Sequence, residues 1–182
     1  LLSGASRIIF HLLKLGDKGQ LVYDLFNCFI TYALCEETAK YFAAKKAIDR
    51  NLNKVSFLDV LTFACIPGIG FELMEAFVYF FTTNIPQILV RGFSNMHAVF
   101  GLIVGYIMAR GYKKGNMSAP FAAIAASTFV HGLYDFGLRE EYLDGALGSI
   151  SLILAIACFV ITIVTYFRVA KMRKDPYYTD PL

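Results

Sequence analysis

The chain has 182 residues, of which 57% are hydrophobic and 17% charged, with a formal net charge of +3. Soluble domains are about 45–50% apolar and about 25% charged. One soluble core of this length cannot absorb so much apolar surface, and a lipid bilayer is the expected solvent for much of it. The basic residues fall in short clusters between apolar runs rather than in a stripe, which excludes a nucleic-acid partner. The four cysteines, Cys28, Cys35, Cys65 and Cys158, all lie in apolar runs without CxxC spacing and read as small buried hydrophobes, not as a disulfide framework.

In chain order, residues 1–21 form an N-terminal segment whose apolar patch "IIFHLLKL" is too short to span; it is expected to lie in the interface or to be the remnant of a longer helix. The chain starts at Leu1 rather than Met, so helices upstream of it are compatible with the sequence. Apolar segments of about 20 residues, the length of a spanning helix, then follow at about 22–44, 57–82, 91–110, 119–138 and 145–168. The fifth carries no charge between Asp144 and Arg168. The expected fold class is therefore all-α, a polytopic transmembrane helix bundle with about five spanning helices. Its core covers 22–168, and 169–182 form a C-terminal tail.

Loop charges orient this bundle. Lys45, Lys46, Arg50 and Lys54 follow the first segment, Arg110, Lys113 and Lys114 the third, and Arg168, Lys171, Arg173 and Lys174 the fifth. The alternate loops carry fewer: 83–91 has only Arg91, and 139–144 reads "REEYLD". A multi-pass protein with a cytoplasmic C-terminus is expected, although Arg7, Lys14 and Lys18 in the N-terminal segment run against that orientation.

Charges inside spanning segments cost from about 2.5 to above 10 kcal/mol at the bilayer centre, yet four of the five segments carry ionisable groups. They are Glu36, Glu37 and Lys40; Glu72 and Glu75; His97, with Asn95 nearby; and His131 and Asp135. Glu36/Lys40, Glu72/Glu75 and His131/Asp135 are each three or four residues apart, so every helix can turn one polar stripe inward. At 1.5 Å per residue, His97 and His131 lie about 9–10 Å below the outer ends of their segments. "PGIG" at 67–70 reads as an interruption that presses Glu72 inward and frees carbonyls toward a wet cavity. Taken singly, each feature has a plainer account: a self-neutralising Glu–Lys pair, a histidine bonding between helices, a simple kink. Together, four carboxylates, two histidines and a lysine on four helices exceed what packing requires.

Two histidines and a carboxylate are a frequent zinc set with one position open to water; the same groups can also activate water without a metal. Both routes lead to hydrolysis. A divalent metal, zinc foremost, is the expected cofactor, with a metal-free mechanism left open. The motifs "EETAK", "FELME", "RGFSNMHAVFG" and "HGLYD" occur in order, each on its own apolar segment. This series resembles the PrsW family of intramembrane proteases, related to the CAAX-processing and Abi membrane proteases, over roughly residues 25–140. Two departures from the CAAX pattern, a lysine ending the first motif and Glu72 in the second, favour PrsW.

The resemblance implies an intramembrane endopeptidase that cleaves a membrane-anchored substrate, similar to site-1 proteases that clip an anti-sigma factor outside the cytoplasm, in a prokaryotic plasma membrane. It implies Glu36, Glu37, Lys40, Glu72, His97 and His131 as the catalytic set, with Glu75, Asn95 and Asp135 in support. The expected roles are Glu72, His97 and His131 as metal ligands, Glu36 as general base, Glu37 and Lys40 setting its charge, and Asp135 behind His131. Two rivals stand beside it. One is a proton- or ion-coupled carrier, since buried acids and histidines also build proton relays, though the chain shows no internal repeat of the kind carriers use. The other is an inactive scaffold for single-span helices.

Overall fold

The structure, a computed structural model, describes residues 16–51, 54–82, 95–139 and 146–182. Residues 1–15, the loop at 83–91, the start of the third predicted segment up to residue 94, and "EEYLD" of the 139–144 loop lie outside them. The described residues are helical and form no sheet, as the lengths of the apolar segments predict. In chain order they are α1 (Gly16–Leu25), a π-helical segment (Phe26–Leu34), α2 (Cys35–Asp49), α3 (Phe57–Thr82), α4 (Met96–Lys114), α5 (Ala119–Gly137), α6 (Ala146–Met172) and the single turn α7 (Pro176–Thr179). By length and composition, two helices suffice to cross a membrane, over Phe57–Phe81 and Gly148–Met172. The other predicted segments are also helical, but their apolar runs are interrupted by the polar residues that build the site.

The first predicted segment is one rod in three pieces. Leu25 and Leu34, at the two junctions, both have right-handed helical dihedrals, so the chain passes from α to π and back without a break. The π geometry widens the turn, and the Cys35 thiol reaches back to the Ile30 carbonyl five residues earlier, at 3.5 Å. π segments are rare and concentrate at functional sites. This one ends at Leu34, two residues before Glu36.

α3 and α4 form the closest pair. Gly101 and Gly105 sit one turn apart on α4, and a Cβ on either would lie within 2.9 Å of an α3 Cα, at Cys65 and Leu61 respectively. Small residues at this spacing let two helix backbones touch, the usual basis of tight pairing in lipid. α3 runs unbroken through Pro67 to Thr82. The expected interruption at 67–70 is instead a contact surface: Gly68 is buried, and a Cβ there would collide with the His97 carbonyl. The glycine thus draws the start of α4 against the middle of α3.

Below this crossing lies the main apolar core, where Tyr41, Ile48, Phe57, Val60, Val104 and Met108 pack from α2, α3 and α4. The C-terminus closes that end. Tyr177 and Tyr178 pack on Phe57 at 5.9 and 5.4 Å, and the Leu182 N–H donates to the Val55 carbonyl at 3.0 Å. α6 leans on α5, pinned where Ser151 Oγ donates to the Tyr134 carbonyl at 2.8 Å. Its other faces, with Leu152, Ile153 and Phe167, are open, as are Leu73, Phe77 and Phe81 on α3. Such broad apolar exposure suits acyl chains, not water.

Candidate active site

The site is assembled at the crossing of α2, α3, α4 and α5. α2 starts immediately after the π segment and carries Glu36, Glu37 and Lys40 in its first two turns. Glu37 and Lys40 point inward and are 0% and 3% exposed, while Glu36 is half-buried. α4 begins at Asn95, which has left-handed dihedrals (φ 47°, ψ 36°), a conformation asparagine tolerates better than most residues. His97 follows in the first turn. The backbone N–H of His97 is one of the donors that a helix start leaves without an internal acceptor. Glu72 of α3 supplies one, its Oε2 accepting from the His97 N–H at 3.0 Å. Glu72 therefore caps α4 from a neighbouring helix, with its negative charge at the positive end of the helix dipole.

Side-chain bonds knit the rest. Lys40 Nζ donates to Glu37 Oε1 at 2.5 Å, contacts His97 Nδ1 at 2.8 Å and lies 4.0 Å from Glu36 Oε2. It also sits 4.9 Å over the Phe71 ring, which favours a cation in an apolar setting. His131 faces carboxylates on both sides, with Nδ1 2.9 Å from Glu37 Oε1 and Nε2 3.3 Å from Asp135 Oδ2. His97 Nε2 lies 3.1 Å from Glu75 Oε2. The two imidazole centroids are 5.1 Å apart, and Phe100 stacks on His131 at the same distance. Among the described residues, the second oxygen of Glu37, Oε2, is buried without a hydrogen-bond partner.

All nine residues singled out in the sequence thus lie at this crossing. Eight contribute side chains to the network or its rim, and Asn95 acts through its backbone. The arrangement differs from the expected one in one respect. The described residues whose ligand atoms approach one another are Glu36, His97 and His131, within 4.8 Å of one another, rather than Glu72 with the two histidines. Glu72 is engaged at the α4 N-terminus. Sequence reasoning missed Phe100 and gave no role to Phe71 of "FELME", both of which wall the charges, and it read Gly68, which sets the α3–α4 distance, as part of an interruption. Of these, Phe71 opens a quoted motif and Gly68 is a small residue beside proline in an apolar run, while Phe100 carries no signal.

The donor chemistry fits a divalent metal. Five carboxylates (Glu36, Glu37, Glu72, Glu75 and Asp135) surround a single ammonium, Lys40, so the site is short of positive charge. Glu37 and Asp135 hold His131 in the manner of carboxylates that orient metal-ligating imidazoles. Two openings lead in: a small inner cavity lined by Glu72, Glu75, His97, His131 and Asp135, and an outer cleft of about 630 Å³ bounded by Tyr32, Glu36, Phe71, Glu75, Asp135 and Arg139. Glu75 and Asp135 line both.

Comparison with known proteins bears on what this centre does. Residues 5–166 match the family described as PrsW family intramembrane metalloprotease. The Protease PrsW of Oceanobacillus iheyensis is 26% identical over 156 residues, which cover 82% of this chain and 68% of that protein. The Protease PrsW of Clostridioides difficile is 24% identical over 128 residues, or 65% of this chain and 54% of that protein, so the chain spans about half the length of this relative. No solved structure matches. A match running from residue 5 to residue 166 takes in every residue of the centre, and the chain belongs to the PrsW family of intramembrane metalloproteases.

Proposed function

We propose that this chain is the catalytic bundle of an intramembrane endopeptidase that cleaves a membrane-anchored substrate protein, of the anti-sigma-factor type, near the outer side of the bilayer. In this reading Glu36, His97 and His131 hold a divalent ion, zinc by the character of the donors. The observation that carries it is the approach of these three groups to within 4.8 Å, with the buried Glu37 behind His131. When bound, the ion supplies Lewis-acid polarisation of the scissile carbonyl.

The chain's own residues do the rest. Glu37 Oε1 accepts the Nδ1 proton of His131; Nε2 would become a ligand by giving up its contact with Asp135 Oδ2, while Glu37 keeps the ring oriented. Lys40, donating to Glu37 and His97, sets a positive charge against the buried Glu37 and fixes the His97 ring. With Nδ1 accepting from Lys40, the proton of His97 sits on Nε2 and is donated to Glu75; uptake of a cation by that ring displaces one of these two partners. Since Glu36 serves as a ligand here, the role of base passes to Glu75, which lines both openings and takes the proton of the attacking water. Phe71 and Phe100 exclude bulk water from the charges. The substrate enters through the outer cleft, and its apolar segment lies along the open face of α3.

The multi-pass topology with a cytoplasmic C-terminus and a plasma-membrane location complete the proposal. Metal analysis of the purified protein beside a cleavage assay with a tagged single-span substrate tests it. Glu36→Gln is expected to lose both metal and cleavage, Glu75→Gln to keep the metal and lose cleavage, and Glu72→Gln to keep the metal. Full cleavage by Glu36→Gln or His131→Ala overturns the assignment.

A further inference from the structure

Away from the catalytic crossing, α4 and α6 diverge and leave a cavity of about 820 Å³. Its wall is apolar along α4, from Val99 through Ile103 to Ile107, and is closed by Leu61 of α3. On α6 the lining residues Ile161, Thr165, Arg168 and Lys171 fall three or four residues apart and form one stripe, apolar at one end and basic at the other. From Ile161 to Arg168 the helix rises about 10 Å. The cavity therefore runs from a cationic mouth a short way into the apolar layer.

The mouth has an unbalanced charge. Among the described residues, neither the Arg168 guanidinium nor the Lys171 ammonium has a hydrogen-bond or ion-pair partner. The one carboxylate in the lining, Asp175, accepts the Tyr177 N–H at 2.9 Å at the start of α7 and pairs with neither cation, so the lining keeps a net positive charge. Tyr106, on the opposite wall, has its hydroxyl bonded by Arg110 Nη1 at 3.1 Å, so a third cation stands close behind.

We propose that this cavity is a binding site for one anionic phospholipid, whose phosphate sits between Arg168 and Lys171 and whose acyl chain follows the stripe toward Ile161. Charge complementarity selects the occupant: two unpartnered cations at the polar end of an apolar trough match a head group with net negative charge and discriminate against a zwitterionic one, whose own cation would meet them. A substrate helix fits less well, because the apolar wall is only about 10 Å deep and a spanning helix needs about 30 Å. The site shares no lining residue with the catalytic centre, so its occupant is a structural or regulatory lipid. The failure of this proposal leaves the proteolytic reading intact.

The test is native mass spectrometry of the full chain released from vesicles of equal phosphatidylglycerol and phosphatidylcholine, with retained lipids counted. The wild type is expected to keep one phosphatidylglycerol in clear preference. Arg168→Gln/Lys171→Gln is expected to lower the ratio of retained anionic to zwitterionic lipid roughly tenfold. Arg173→Gln/Lys174→Gln, which removes the same charge beside the cavity, is expected to leave the ratio unchanged. Three results overturn the proposal: no preference in the wild type, equal loss in both double variants, or a photo-crosslinker at Ile107 that labels substrate protein and not lipid. Circular dichroism of each variant confirms that it is folded.

Discussion

Around Ile48, Phe57, Val60 and Met108 the helices meet through apolar side chains that are almost fully buried, whereas around Glu37, Lys40, His97 and His131 equally buried positions hold charges and imidazoles. The first region gains from every ångström of contact. The second costs solvation energy at every group and persists because the groups partner one another, Lys40 with Glu37 within α2 and Glu37 with His131 across to α5. Both lie on the same four helices, so the bundle separates what holds it together from what reacts along its length. α2 shows this within one element: Lys40 belongs to the charged crossing, while Tyr41, Ala44 and Ile48 belong to the apolar one.

That separation can be broken or sharpened by substitution. The largest effect is expected from His131→Ala, with cleavage falling on the order of a thousandfold while the helical circular dichroism is retained. Next is Glu37→Leu, which strips partners from Lys40 and His131 and is expected to cost about 3–5 kcal/mol in a denaturation assay. Glu37→Leu/Lys40→Leu should regain most of that stability and none of the cleavage, a split that an apolar core pair would not give. Ile48→Ala inverts the pattern: a loss of about 2–5 kcal/mol, with the cleavage rate per folded molecule kept. Gly101→Val presses α4 off α3 and is expected to cost about 1–3 kcal/mol, with cleavage also reduced because His97 moves with its helix. The smallest effect belongs to Ile153→Ala on the open face of α6, within about 0.5 kcal/mol; a larger change would mean that this face is covered by protein.

Much of the fold was legible because its signal is hydropathy summed over long windows. α3 and α6 are unmistakable in that measure, and the short charged stretches between apolar runs mark their ends. The start of α1 was not legible: the first segment was expected from about residue 22, since Gly16-Asp17-Lys18-Gly19-Gln20 has no apolar run, yet the helix begins at Gly16. The π segment has no signature in residue types, because what differs is which carbonyl each N–H selects.

The convergence of acids and histidines could be anticipated from the i, i+3 and i, i+4 spacings, which place polar groups on one face of each helix. Their partners could not. Lys40 and His97 are 57 residues apart, and no local rule pairs them. Glu72 read as a metal ligand because residue type and position allowed it. Its actual contact, the N–H at the start of α4, exists only once Gly68 has brought the two helices together. Gly101 and Gly105 were missed, because the meaning of two glycines one turn apart depends on which helix lies opposite.

The π segment has a consequence for how the chain tolerates changes in length. Its wider turns accommodate a number of residues that an α-helix between the same end points would not. Were all the residues from Phe26 to Leu34 to wind as an ordinary α-helix, everything before them would swing about the axis relative to α2. Either Glu37 would leave His131, or Asp24 and Asn27 would leave the interior. A single-residue deletion there should be tolerated better than one inside α2, where no surplus residue absorbs the change of register.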